Sequence, residues 1–211
     1  MTAKHRVVVA TGNVGKLKEI QSLLSSDDWT NDREIVAQNE LNIPDVEEIG
    51  TTFVENAIIK ARHVSAIAQL PALADDSGIE VDYLNGQPGI HSARYAGDEA
   101  NAVNNVNKLL NKLSDVPDEH RSARFQCVIV YLRHAADPSP LISQASWVGR
   151  ILCAPRGAGG FGYDPVFYVP THNCSAAELD PVIKNAISHR GKALRNLVRL
   201  LQQEIQANDH V

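Results

Sequence analysis

The 211-residue chain is poor in aromatics, at 5%, and has one methionine, two tryptophans, three cysteines and no long apolar run. Each shortage excludes something. No stretch approaches the roughly 20 apolar residues of a membrane span, and the N-terminus enters a strand-like run in place of a signal-peptide core. No membrane partner and a cytoplasmic location are therefore expected. Cys127, Cys153 and Cys174 are odd in number, widely spaced and lack a C-x-x-C pair, so reduced structural thiols are expected and neither zinc nor redox chemistry is signalled. Basic charge is short as well: 20 Lys and Arg against 25 Asp and Glu leave a formal charge of -5. A binder of single-stranded nucleic acid, which sets aromatics in a basic groove, fits this poorly, and any anion site must be local. Also missing are the G-x-S-x-G elbow, the H-E-x-x-H helix and the EF-hand loop, which removes the sequence support for serine, zinc or calcium chemistry.

What is present suits a folded enzyme-sized domain. Apolar residues make up 44% of the chain, and no repeat, linker or single-sign block divides it, so residues 1–211 read as a single domain. Val7 to Ala10 forms a short apolar run typical of a buried strand, and Leu17, Ile20, Leu23 and Leu24 mark a helix face behind it. Thr52-Phe53-Val54-Glu55 is a capping box, with Phe53, Ala57, Ala61, Val64 and Ala68 at helical spacing after it. Pro71 to Ala74 predicts a strand that ends in an acidic corner, Asp75 to Gly78, before Ile79, Val81 and Tyr83 alternate as a second strand. A helix with Val103, Val106, Leu110 and Leu113 on one face follows, then strands over 125–132 and about 147–152, a last strand over 164–169, and a C-terminal helix with Leu194, Leu197, Leu201 and Ile205 inward. This alternation followed by a strand-rich middle predicts an α/β class with a mixed sheet.

Several groups could carry chemistry. Thr11-Gly12-Asn13-Val14-Gly15-Lys16 joins a strand to a helix through two glycines and a lysine, and backbone N–H groups at a helix start beside an ammonium suit a phosphate. It is neither a Walker loop nor the three-glycine dinucleotide pattern, and the same spacing also serves a tight turn with a surface lysine. Asp75 and Asp76 end an apolar strand, where adjacent side chains point to opposite faces, so only one aims at a given site. Carboxylates there suit Mg²⁺, which takes one or two of them with phosphate oxygens and water; an Asx turn with solvated acids is the alternative. Glu47, Glu48 and Glu55 offer more negative charge or a solvated loop. Asn56, Lys60 and His63 fall on one helix stripe, which either faces the site or meets solvent. Phe161-Gly162-Tyr163-Asp164, Lys184 and Ser188-His189-Arg190-Gly191 supply an aromatic face, an ammonium and a fork of donors suited to a base and phosphates. For His189, satisfaction by backbone at a helix start is the alternative to a ligand contact.

At these motifs the sequence resembles the inosine triphosphate/xanthosine triphosphate pyrophosphatase family, most closely its bacterial branch. The resemblance spans nearly the whole chain and rests on Ala10 to Lys16, Thr52 to Ala57, Ala74 to Gly78, Pro88-Gly89 through Ser92-Ala93-Arg94-Tyr95, Gly159 to Pro165, and Ser188 to Gly191, in family order. It implies an elongated two-lobed α/β fold with a long central mixed sheet flanked by helices, an active-site cleft between the lobes, and usually a homodimer. It also implies Mg²⁺-dependent hydrolysis of ITP, dITP and XTP to the monophosphate and pyrophosphate, which cleanses the nucleotide pool. A non-catalytic purine nucleotide sensor is the alternative.

By the resemblance, Asp76 is the proton acceptor and a Mg²⁺ ligand, Glu47 or Glu48 is associated with the metal, and Lys60 meets the phosphates. Thr11, Gly12, Asn13, Val14, Gly15, Lys16, Ser77, Phe161, Gly162, Tyr163, Asp164, Lys184, His189 and Arg190 contact the nucleotide, Arg190 being suited to read the carbonyl at purine position six. One departure is Leu179-Asp180-Pro181-Val182-Ile183, where relatives often carry an acidic pair before the lysine; here Pro181 suits a helix start with Asp180 as its cap.

Overall fold

The computed structural model describes residues 5–25, 33–97, 99 and 101–208. Seven strands form one mixed sheet: β1 (His5–Ala10), β2 (Arg33–Ala37), β3 (Ala72–Val81), β4 (Ser122–Leu132), β5 (Leu141–Ile151), β6 (Phe167–Val169) and β7 (Cys174–Ser175), in the order β2-β1-β3-β4-β5-β6-β7. β1 runs parallel to β2 and to β3, with Val9 opposite Leu73 and Ala10 opposite Ala74, whereas β5, β6 and β7 pair antiparallel. The helices are α1 (Val14–Ser25), α2 (Phe53–Ala68), α3 (Ala102–Lys112), α4 (Pro181–Ile187) and α5 (His189–Asn208). Among the described residues no helix is long and apolar enough to cross a membrane.

Helix starts follow local chemistry. Asn13 Oδ1 accepts from Lys16 N at 3.1 Å and caps α1, while Thr52 and Glu55 close the expected capping box on α2. Glu55 is thereby committed to the backbone and hydroxyls of Thr51 and Thr52. Asp180 caps α4, accepting from Val182 N at 2.8 Å, with Pro181 in the first turn.

The chain divides into two compact units. The first takes the described residues of Met1–Asp76, Cys127–Ala145 and Arg190–Val211, and the second those of Ser77–Gln126 and Ser146–His189. In the first, strand alternation sorts the side chains onto two faces. Val7, Val9, Leu73, Cys127 and Ile129 pack with Ile20 and Leu24 of α1 and Leu194, Leu197 and Leu201 of α5. Val8, Ala10, Ala72, Ala74, Val128 and Val130 pack instead with Ala57, Ala61 and Val64 of α2. Burial of each large apolar side chain contributes about 1.5–3 kcal/mol. In the second unit Ile79, Val81, Phe125, Trp147, Ile151 and Phe167 enclose Val106 and Leu109 of α3.

Three readings are corrected. The acidic corner at Asp75 to Gly78 does not exist, because β3 runs unbroken through it for ten residues; both carboxylates find cations, so the strand has no cause to turn. Val103 is exposed, and Leu109 rather than Val103 fills the α3 stripe. The strand expected as the last over 164–169 is β6, which starts at Phe167 because Asp164–Val166 forms a single 3-10 turn, and the two-residue β7 follows it. The side chain of Ile205 lies outside the described residues.

Candidate active site

In the first unit the end of β1, Asp75 and Asp76 in the middle of β3, the start of α1, the segment 45–48 and α2 assemble a charged cluster. Asp75 and Asp76 occupy adjacent positions of β3 and so belong to opposite faces, each with its own cations. Asp75 follows Leu73 onto the α1 and α5 face. There its carboxylate, fully buried, lies 2.7 Å from Lys16 Nζ, accepts from Arg190 Nε at 3.2 Å and from Nη2 at 3.4 Å, and receives the Cys127 thiol at 2.9 Å. Arg190 also donates through Nη1 to Glu19. Burial alone would raise the Asp75 carboxyl, but Arg190 and then Lys16 outweigh it and hold the group well below its ordinary value of 3.8. Burial and the Asp75 charge push the Cys127 thiol well up, which keeps it protonated as a donor.

Asp76 follows Ala72 and Ala74 onto the α2 face. Lys60 donates to Asp76 Oδ1 at 2.7 Å and also lies 3.2 Å from Glu48 Oε1. Asp76 Oδ2 is buried and has no hydrogen-bond partner among the described residues. Burial raises the Asp76 carboxyl above 3.8 despite the opposing charge of Lys60. The Lys60 ammonium is raised in turn: burial lowers it, and Asp76 with Glu48 more than compensates. Of the two candidate glutamates, Glu48 is partly buried beside Lys60 and Glu47 is exposed. His63 Nε2 sits 3.0 Å from the Pro44 carbonyl and Asn56 Oδ1 accepts from Gly50 N at 2.8 Å, so the stripe Asn56, Lys60 and His63 faces the segment that carries the glutamates. Solvation of that stripe is thereby set aside.

The loop before α1 is held from outside. A Cβ on Gly12 would lie 2.7 Å from Asp45 Oδ2, and Asp45 in turn accepts from Gln38. Thr11 Oγ1 accepts from Asn13 N at 3.2 Å, Val14 is exposed at the first position of α1, and Gly15 follows it. Neither Asp45 nor Gln38 bears a sequence signal of its own.

The second unit holds a separate cluster. Buried Lys184 donates to Asp164 Oδ2 at 2.6 Å, Phe161 N donates to the same oxygen at 2.8 Å, and the ammonium stands 5.0 Å from the centre of the Phe161 ring. Gly160 has φ +71, and a Cβ there would meet Asp164 Oδ2 at 2.1 Å. Gly162 also takes a positive φ, and Tyr163 is buried with its hydroxyl donating to the Ser92 carbonyl at 2.8 Å. The His189 ring stacks on Phe125, centroids 4.7 Å apart and planes 8° apart. Ser77 is half-buried on β3.

Chemically, the first cluster joins a helix start, two lysines and an unsatisfied carboxylate oxygen. A buried acceptor without a donor is costly, and a cation or a polarised water relieves it. Among the described residues no group of three or more metal-binding side chains occurs. Mg²⁺ does not need one, because it keeps several waters and adds one or two carboxylates to substrate phosphates.

The Ham1 family pattern matches residues 7–200. A dITP/XTP pyrophosphatase of Vibrio cholerae is 56% identical over 199 residues, 94% of this chain and 98% of its own length. One from Escherichia coli K12 is 56% identical over 198 residues, with the same two shares. Among solved structures, a HAM1 protein from Coxiella burnetii superposes with a TM-score of 0.85 at 49% identity, covering 94% of this chain and 99% of that one.

Proposed function

Since the chain belongs to the Ham1 family, we infer that it hydrolyses deaminated purine nucleoside triphosphates, dITP, XTP and ITP, to the nucleoside monophosphate and pyrophosphate. The observation that carries the mechanism is the state of Asp76: one oxygen held by Lys60, the other buried and open.

The donor set suits Mg²⁺. Asp76 Oδ2 and Glu48 would hold it, with Glu47 too exposed to be preferred. Bound there, the ion supplies charge neutralisation to the phosphate oxygens. Asp76 orients a water for in-line attack on the α-phosphorus and takes its proton. A carboxyl raised by burial is a stronger base than an ordinary aspartate, and such a base contributes roughly 10² to 10⁴-fold. Lys60 fixes Asp76 Oδ1, so the carboxylate cannot swing away as the proton arrives. The backbone amides at the start of α1, with Thr11, Gly12, Asn13, Val14, Gly15 and Lys16, suit the anionic phosphates.

Ser77, Phe161, Gly162, Tyr163, Asp164, Lys184, His189 and Arg190 enter the proposal as nucleotide contacts. The chemistry of the second cluster, an aromatic face with an ammonium held over it, supports Phe161 and Lys184. For Arg190, the pairing with Asp75 and Glu19 supports action through those carboxylates rather than as a freely presented donor. A cytosolic homodimer completes the proposal on the family resemblance, and a solution mass near twice 23.0 kDa tests the dimer.

The test is an end-point assay with Mg²⁺ and ITP beside GTP and ATP, detecting pyrophosphate separately from orthophosphate. Pyrophosphate from ITP in strong preference to the other two supports the reading. Orthophosphate as first product means attack at the terminal phosphate, and ITP binding without product means a sensor.

A further inference from the structure

Resting on the pyrophosphatase reading, we propose that Asp75 is a positioning residue whose buried carboxylate presets the Lys16 ammonium for the substrate's phosphates and takes no proton in the reaction. The two adjacent aspartates look interchangeable in sequence, yet β3 sends them to opposite faces. Asp76 keeps an open oxygen, while Asp75 has both oxygens engaged: Oδ1 by Lys16 and Arg190 Nη2, Oδ2 by Arg190 Nε and the Cys127 thiol. A carboxylate engaged this way has no direction left from which to accept a proton from water.

Its value lies in what it holds. Lys16 projects from the first turn of α1, its side chain 15% exposed, so the ammonium stands at the margin where Asp75 is buried and the helix start is open. A lysine stem without a partner samples many rotamers, and each must be given up when a phosphate binds. Held by Asp75, the ammonium loses that freedom during folding instead. An ammonium has three donors, so Lys16 can keep Asp75 and still meet a phosphate oxygen. Arg190, through both oxygens, and the Cys127 thiol, through Oδ2, hold the carboxylate in place, which stops it following the lysine outward.

The experiment uses the full chain. Pyrophosphate release from ITP by the wild type is checked first; if it is absent, the pyrophosphatase reading fails, whatever Asp75 does. With it present, KM and kcat for ITP are measured for wild type, Asp75→Asn, Lys16→Met and the double variant. The proposal expects Asp75→Asn to raise KM by about 10-fold with kcat changed by less than about 3-fold, and to add less than about 2-fold once Lys16 is already Met. Multiplying KM effects would overturn it, as would a kcat loss of about 100-fold at unchanged KM, the mark of a proton acceptor. A lower active fraction with native KM would also overturn it, because that is loss of fold alone. If Asp75→Asn does not fold, Lys16→Met decides. With Asp75 left short of a cation, Tm should fall by about 5 °C, and an unchanged Tm would overturn the proposal.

Discussion

Lys60 holds one oxygen of Asp76 at 2.7 Å and leaves the other buried without a partner among the described residues. The carboxylate is thus fixed in orientation and unfinished in bonding, which is what a water-activating, metal-holding group requires. Asp76→Asn keeps the shape and removes the charge. Turnover should drop by roughly 10² to 10⁴-fold or more, with the protein still folded by circular dichroism.

The rate should also report the carboxyl of Asp76 through pH. Burial raises it above 3.8, so the ionised base is lost as pH falls through a value higher than that of an ordinary aspartate. A pH profile of kcat/KM, which reports the free enzyme, should show an acid limb with its midpoint above 3.8 that disappears in Asp76→Asn.

Glu48 and Glu47 are neighbours in sequence with different surroundings. Glu48 shares Lys60 with Asp76, whereas Glu47 is exposed. Titrating the rate with Mg²⁺ should therefore show Glu48→Gln needing at least about 10-fold more metal, and Glu47→Gln staying near wild type.

Gly160 tests the second cluster. Its φ of +71 and the 2.1 Å separation that a Cβ would have from Asp164 Oδ2 leave no room for a side chain. Gly160→Ala should cost at least about 1–2 kcal/mol in chemical denaturation and raise KM for ITP as the Asp164–Lys184 pair is displaced.

Asp137 gives a stability test far from the chemistry. Its carboxylate accepts from Arg133 N, Nε and Nη2 and from Ser139 N, and the Arg133 bonds hold its carboxyl well below 3.8 against the effect of burial. The folded value is depressed, so the stabilisation is present above 3.8 and is lost as pH falls below it. Asp137→Asn should cost roughly 1–3 kcal/mol at neutral pH, with the Tm gap to wild type narrowing only on acidification.

Much of the fold and site is legible in sequence where local chemistry decides. The capping box at Thr52 and Glu55 sets the start of α2, and Asp180-Pro181 sets that of α4. Strand alternation also foretells that Asp75 and Asp76 serve different faces. The run Asp75 to Gly78 misleads, because its turn-forming composition ignores the lysines that satisfy the acids within a strand. The short strand Arg33–Ala37 carries two charged residues in five and lies at the sheet edge, so it has little apolar pattern. Glu19 and Cys127 give no signal, since they join the site only through folding that brings Glu19 to Arg190 across 171 positions.

In the proposed mechanism, water activated at Asp76 attacks the α-phosphorus. Hydrolysis of ITP in ¹⁸O-labelled water, with both products analysed by mass spectrometry, tests that step without an intermediary. The label should enter the nucleoside monophosphate and be absent from pyrophosphate; label in pyrophosphate would place the attack on the β-phosphorus and contradict the mechanism.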